Sequence, residues 1–271
     1  MEEFDSSKTK AKKFSLVESR KFVRNKLEGK VFVIPALITI VGLFCGFLAI
    51  TSAIAGKFEY AAQCIALSFI MDGLDGRVAR NLNATSAFGK EFDSLSDVIA
   101  FGVAPAVLVY SWGFSNIADE FGVLVSFIFV VCGAIRLARF NIMTTEESKT
   151  HFVGLPIPGA AAAITSLVYL YPQQLHNDFI VGLIVAYMLL ISGLMVCTLP
   201  FFSLKKIRFT RERQLTYLLF FAVLVAIAWK YNRLVIAVGC TAYALSGILR
   251  YIDKKKNIFG KKQTAPTAVN S

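Results

Sequence analysis

The chain has 271 residues, of which 56% are hydrophobic and 17% charged, with a mean hydropathy of +0.60. That is more apolar side chain than a soluble domain of this length can bury, so a water-soluble fold is excluded and a polytopic membrane protein is expected. The formal net charge of +11 would suit nucleic acid, but the basic residues sit between apolar runs and at both termini, where membrane topology explains them and no nucleic-acid partner is needed.

The first 30 residues are polar and basic, and no cleavable signal peptide is expected there. Within residues 15–30, Leu16, Val17, Phe22, Val23 and Leu27 alternate with Lys and Arg, the pattern of an amphipathic helix lying on a membrane surface; a solvated tail is the alternative. Eight spans follow, with approximate cores at 31–55, 58–80, 88–112, 121–142, 154–173, 178–200, 214–230 and 233–251. Each is near the ~20 residues that a bilayer needs. The last two are separated only by the short gap at Lys230–Arg233 and could also form a hairpin or a re-entrant pair. Span one carries Pro35, suited to a helix start, and Thr39, Gly42 and Gly46; the glycines allow close helix packing.

The junction of spans two and three, residues 72–97, holds four carboxylates in apolar surroundings. If both ends are helical, Asp72, Asp75, Gly76, Ala79 and Arg80 fall on one helix face, and Gly89, Asp93 and Asp97 on another. The polar stretch from Asn81 to Phe88 is long enough to turn the chain, so two helices can each point two Asp at a shared space. Carboxylates crowded into a low-dielectric site must be neutralised, by protons or by cations. Their hard oxygens suit Mg²⁺, Mn²⁺ or Ca²⁺ better than zinc. Gly76 and Gly89 leave room for a large group beside the backbone, and Arg80 offers a fork suited to phosphate. The combination points to phosphate-ester chemistry at a metal cluster. The plainer reading, helix-end charges at the membrane surface, sits poorly with the cost of ionisable groups beside apolar spans.

A second cluster closes span four and opens span five. Arg136 and Arg139 are three residues apart, Asn141 follows, and the run Phe152-Val153-Gly154-Leu155-Pro156-Ile157-Pro158-Gly159 begins the next span. Two prolines flanking Ile157 predict a rigid segment that is not yet regular helix. The arginines serve either as anchors on the basic side of the membrane or as an anion site beside the metals. His151 and His176 read as surface residues. The cysteines, Cys45, Cys64, Cys132, Cys197 and Cys240, lie in apolar runs without metal-type spacing and read as small packing residues. The basic run Lys205–Arg213 reads as a topology signal.

The spacing D-x2-D-G-x2-A-R-x8-G-x3-D-x3-D closely resembles the signature of the CDP-alcohol phosphotransferases, with every fixed position filled. The resemblance implies an integral membrane enzyme that displaces CMP from a CDP-linked substrate with an alcohol. It implies that Asp72, Asp75, Asp93 and Asp97 hold one or two divalent ions, Mn²⁺ or Mg²⁺. Asp97, the last of the four, resembles the family's proton acceptor. Gly76, Arg80 and Ser86 would meet the nucleotide part. Ala36 and Gly42 stand where members often carry Asn, which leaves Thr39 and the backbone as the contacts from span one. The run from Arg136 to Asn141 followed by Gly154-Leu155-Pro156 resembles the membrane-embedded phosphatidylserine synthase branch. In that branch the donor is CDP-diacylglycerol and the acceptor L-serine. Arg136, Arg139 and Asn141 are then candidates for holding the serine carboxylate or the transferred phosphate. A homodimer is also implied by the resemblance.

The expected fold is therefore an all-α polytopic membrane protein of about eight transmembrane helices, a six-helix core plus two C-terminal spans, with an N-terminal interfacial helix. The expected segments are a basic tail and interfacial helix at 1–30, the catalytic core at 31–200, a basic loop at 201–213, two further spans at 214–251 and a basic tail at 252–271. With the N-terminus in the cytoplasm, every Lys and Arg except Lys57, Lys230 and Arg233 falls on the cytoplasmic side, together with both termini and the Asp cluster. Two alternatives stay open. The acceptor could be inositol phosphate, glycerol phosphate or choline on the same Asp cluster. A cation transporter would instead place its charges near mid-membrane in repeated halves, and no such repeat is visible.

Overall fold

The computed structural model describes residues 33–82, 86–115, 119–142, 152–197, 200–201 and 233–247. The expected interfacial helix at 15–30, the span at 214–230, the tail at 252–271, most of the basic loop at 201–213 and His151 lie outside the described residues.

Seven helices carry the described fold: α1 (Val33–Ile54), α2 (Phe58–Asn81), α3 (Ala87–Phe114), α4 (Asp119–Ile142), α5 (Ile157–Leu170), α6 (Asp178–Val196) and α7 (Arg233–Gly247). Four of them, α1, α3, α4 and α6, are long and apolar enough to cross a membrane. With α2 and the shorter apolar α5 and α7, they make an all-helical polytopic membrane protein, as expected. The strands among the described residues are two residues long, β1 (Phe152–Val153) and β2 (Pro200–Phe201), paired antiparallel. The outer faces are as apolar as the interior: Ile34, Leu37, Phe44 and Phe47 of α1 are each more than half exposed. A helix hydrophobic all round is one whose outer face meets lipid.

The first two helices form a tight hairpin. After Ile54 the Lys57 N–H returns to Ser52 O (2.9 Å) and the Gly56 N–H to Ala53 O (3.0 Å), with Gly56 at φ 72°. This left-handed termination suits glycine, which carries no Cβ penalty there. Ser68 Oγ then donates to Gly42 O (2.9 Å) and clips α2 to α1 in the apolar layer. Small residues let the helices approach. A Cβ on Gly46 would stand 2.9 Å from Ala100 Cα, and Ala49, Ala53, Ala61 and Ala104 are fully buried.

One helix departs from regular geometry, and the expected span five needs correction. Span three is not a uniform α-helix. Its first part, Ala87–Asp97, passes into a π-helical stretch at Val98–Val103, returns to α at Ala104–Val109, and widens again at Tyr110–Phe114. The Ala104 N–H reaches back five residues to Ile99 O. Pro105 follows and supplies no N–H, so the regular ladder cannot run unbroken through this region. Span five is also shorter than expected, with 14 residues in α5. It starts at Ile157 itself, because Pro158 occupies the first turn, where a missing N–H leaves no intrahelical bond unmade. It stops at Leu170 before Tyr171-Pro172, and Trp112 Nε1 donates to Tyr171 O (2.9 Å) and Gln173 O (2.7 Å).

The last helix is tied to the others from two sides. The Arg233 Nη2 pairs with Glu59 Oε1 at 2.6 Å, and its guanidinium lies 5.1 Å from the Tyr169 ring centroid. Further along α7, Tyr187 Oη donates to Thr241 Oγ1 (3.2 Å). All five cysteines are free and at least partly buried, as their apolar context predicts.

Candidate functional site

The site is built where α2 ends and α3 begins. Both expected helical faces form: α2 runs through Asn81, and α3 opens at Ala87 with Ser86 as its cap. Ser86 Oγ accepts from the Gly89 N–H at 2.9 Å, which fixes the direction in which α3 leaves the turn. The two helices bring Asp72, Asp75 and Asp93 together, each offering a carboxylate oxygen within 4.8 Å of the others. Asp75 is buried and the other two are half-buried. Three carboxylates at that spacing repel one another, and a hard cation relieves the repulsion; the donor set fits one.

The third wall comes from α1. Thr39 Oγ1 lies 2.9 Å from Asp75 Oδ2 and 3.1 Å from Pro35 O, sharing its hydrogen between them. The expected contact residue of span one thus also holds a member of the cluster. Nothing in the sequence spacing announces a bond between residues 36 positions apart.

Beside the carboxylates lies a cavity of about 260 Å³ bordered by Thr39, Asp75, Gly76, Arg80, Ser86 and Asp93. The Arg80 guanidinium folds back along α2, its Nη1 3.7 Å from where a Cβ on Gly76 would stand. The cavity therefore has carboxylates on one wall and a cation on another, the two charges needed to hold a metal-bridged phosphate. Every residue expected to meet the nucleotide part lines it.

Asp97 lies one turn beyond Asp93, at the start of the π-helical stretch. It interacts electrostatically with Asp72, Asp75 and Asp93, and also with Arg136 of α4. Arg136 is buried, with its guanidinium 5.5 Å from the Phe140 ring centroid.

The three residues of the second cluster meet different partners. Arg136 faces Asp97. Arg139 Nη1 donates to Val196 O (3.1 Å) and its Nη2 to Cys197 O (3.3 Å), capping α6. Gly154 of the proline-rich run, at φ 83°, fits under this contact, where a Cβ would stand 2.6 Å from Met195 O. Asn141 Nδ2 donates to Ser94 Oγ (2.9 Å), and Asn141 O accepts from Lys90 Nζ (3.3 Å). Ser94, between two of the carboxylates in sequence, is thus a latch from α3 to α4; the sequence offers no sign of it.

Comparison with known proteins agrees with this geometry. A CDP-alcohol phosphatidyltransferase profile matches residues 32–199. A Helicobacter pylori protein named CDP-diacylglycerol–serine O-phosphatidyltransferase is 38% identical over 242 residues, covering 87% of this chain and 98% of that protein. One of the same name from Methanocaldococcus jannaschii is 35% identical over 223 residues, covering 82% and 96%. An archaetidylserine synthase of Methanothermobacter thermautotrophicus is 37% identical over 173 residues, covering 62% and 69%. A match across well over half the sequence, with the motif's aspartates converging in space, makes this chain a member of the CDP-alcohol phosphatidyltransferase family.

Proposed function

We propose that this protein transfers the phosphatidyl group of CDP-diacylglycerol to the hydroxyl of L-serine, releasing CMP and forming phosphatidylserine. The observation that carries the reading is the convergence of Asp72, Asp75 and Asp93 beside a cavity bordered by Arg80, with Asp97 and Arg136 next to it. The names of the relatives in Helicobacter pylori and Methanocaldococcus jannaschii support serine as the acceptor.

Asp72, Asp75 and Asp93, with Asp97 for a second ion, would hold Mn²⁺ or Mg²⁺, which neutralises diphosphate charge and makes CMP a better leaving group. Arg80 binds the nucleotide phosphates through its fork, and Gly76 lets that group approach the α2 backbone. Ser86 lines the same cavity and turns its cap oxygen toward α3. A serine hydroxyl is a weak nucleophile at neutral pH, so a base must take its proton as the new phosphorus–oxygen bond forms. Asp97 is that base. The bond from phosphorus to CMP breaks, and the proton remains on Asp97 until solvent removes it. Arg136 receives the serine carboxylate.

The distribution of Lys and Arg supports an active site on the cytoplasmic side of a cell membrane.

The test is CMP release from CDP-diacylglycerol by purified protein in detergent, with Mn²⁺ or Mg²⁺ and, separately, L-serine, inositol phosphate, glycerol 3-phosphate or choline. Serine-dependent release that a chelator abolishes is expected. Release with another acceptor alone would overturn serine and the role given to Arg136. Asp97→Asn is expected to lose turnover by at least about a thousandfold, within the range for removing a catalytic base, while still binding CDP-diacylglycerol. Near-normal turnover in that variant would remove Asp97 as the base.

A further inference from the structure

The first part of α3, Ala87–Asp97, carries Asp93 and Asp97 and passes directly into the π-helical stretch at Val98–Val103. A π-helical stretch interrupts the regular ladder of a helix, so the buried half of α3 does not by itself fix how the first part is turned about its axis. That turn matters. Side-chain tips stand about 6 Å from a helix axis, so a rotation of about 20° carries them through about 2 Å. A hard cation such as Mg²⁺ holds its oxygens at about 2.0–2.1 Å in near-ideal geometry, and a displacement of that size removes a ligand.

A ring of three hydrogen bonds between α3 and the end of α4 opposes the rotation. Asn141 Nδ2 donates to Ser94 Oγ (2.9 Å), Ser94 Oγ donates to Lys90 O (2.9 Å), and Lys90 Nζ donates to Asn141 O (3.3 Å). Ser94 directly follows Asp93 and stands three residues before Asp97, so the ring grips α3 at the turn that carries both carboxylates. Asn141 is the next-to-last residue of α4, a helix long and apolar enough to cross the membrane, so the ring is anchored outside α3. The other side of the cluster has its own anchor, Thr39 on Asp75.

We propose that Asn141 is a positioning residue for the metal site: through Ser94 it locks the rotation of the first part of α3, so that Asp93 and Asp97 are held toward Asp72 and Asp75. The proposal rests on the metal-site part of the reading given above and is independent of which alcohol is the acceptor.

Mn²⁺ binding to the full chain in detergent, followed by the paramagnetic resonance signal of the free ion, reads the site without turnover. Asn141→Ala and Ser94→Ala are each expected to raise the Kd for Mn²⁺ about fivefold, the factor for one hydrogen bond. The double variant should bind no more weakly than either single one, because both changes remove the same bond. Ser94→Thr keeps the hydroxyl and is expected to restore affinity to within about twofold of wild type. With saturating Mn²⁺, the KM for serine of Asn141→Ala should stay within about twofold of wild type. Ser94→Ala carries the test if Asn141→Ala does not fold. Unchanged Mn²⁺ affinity in either folded variant would overturn the proposal, as would additive losses in the double variant. A rise confined to the serine KM would also overturn it and make Asn141 an acceptor contact instead. Wild-type protein that binds no Mn²⁺ would overturn the metal-site reading itself.

Discussion

Thr39 shows how a residue outside the motif acts on it. Its hydroxyl hydrogen is shared between Asp75 Oδ2 and Pro35 O, so one side chain ties α1 to the carboxylate cluster. Thr39→Val keeps the shape and removes the donor. Hydrogen bonds to charged groups contribute about 1.5–3 kcal/mol, which corresponds to roughly a ten- to hundredfold fall in kcat/KM. Initial-rate measurements with saturating Mn²⁺ check this, and an unchanged value would show that Asp75 needs no help from α1. At this scale the sequence was most informative about Asp72, Asp75, Asp93 and Arg80, because helical spacing alone places each pair on a face. It was silent about Thr39 on Asp75 and Asn141 on Ser94, since each pair lies 36 or 47 residues apart and depends on how consecutive helices dock.

Elements dock here through small residues. Gly46 meets the backbone of Ala100, and a side chain there would have to push α1 away from α3. Gly46→Val is expected to lower stability by about 1–3 kcal/mol, the usual range for overpacking. The readout is a lower midpoint of thermal unfolding in detergent; an unchanged midpoint would show that the α1–α3 contact is loose. The helical kind of the described elements was legible from apolar runs, and the boundaries of α1, α2, α4 and α6 lie within a few residues of those expected. The early end of α5 was not. Its 14 residues rise only about 21 Å at 1.5 Å each, short of the ~30 Å hydrocarbon layer. The expected span also took in residues 154–156 and 171–173, and the indole of Trp112 that takes up the Tyr171 and Gln173 carbonyls comes from another part of the chain.

The whole molecule has its chemistry at one end. The carboxylates, Arg80, Arg136 and the start of α5 gather at the ends of helices whose other ends carry Gly56, Trp112 and Gln173. If the basic residues set the orientation, a membrane-impermeant maleimide should label Gln173→Cys on intact cells, and Asn81→Cys only after permeabilisation. Labelling in the reverse order would invert the proposed topology. The widened stretches of α3 carry a further consequence for this polarity. In an unbroken α-helix each residue advances the angle about the axis by roughly 100°. The π-helical segments at Val98–Val103 and Tyr110–Phe114 slip that phase between Asp93 and Asp97 at one end and the buried Phe101, Leu108 and Trp112 at the other. The helix thus contains a built-in frameshift that lets a single rod aim its reactive groups and its greasy anchors in directions a regular spiral would not reconcile. Excising Val103 should let the first of these segments close into ordinary α-helix, leaving a protein that still inserts and purifies but whose aspartates point away from their partners, seen as lost CMP release at unchanged expression.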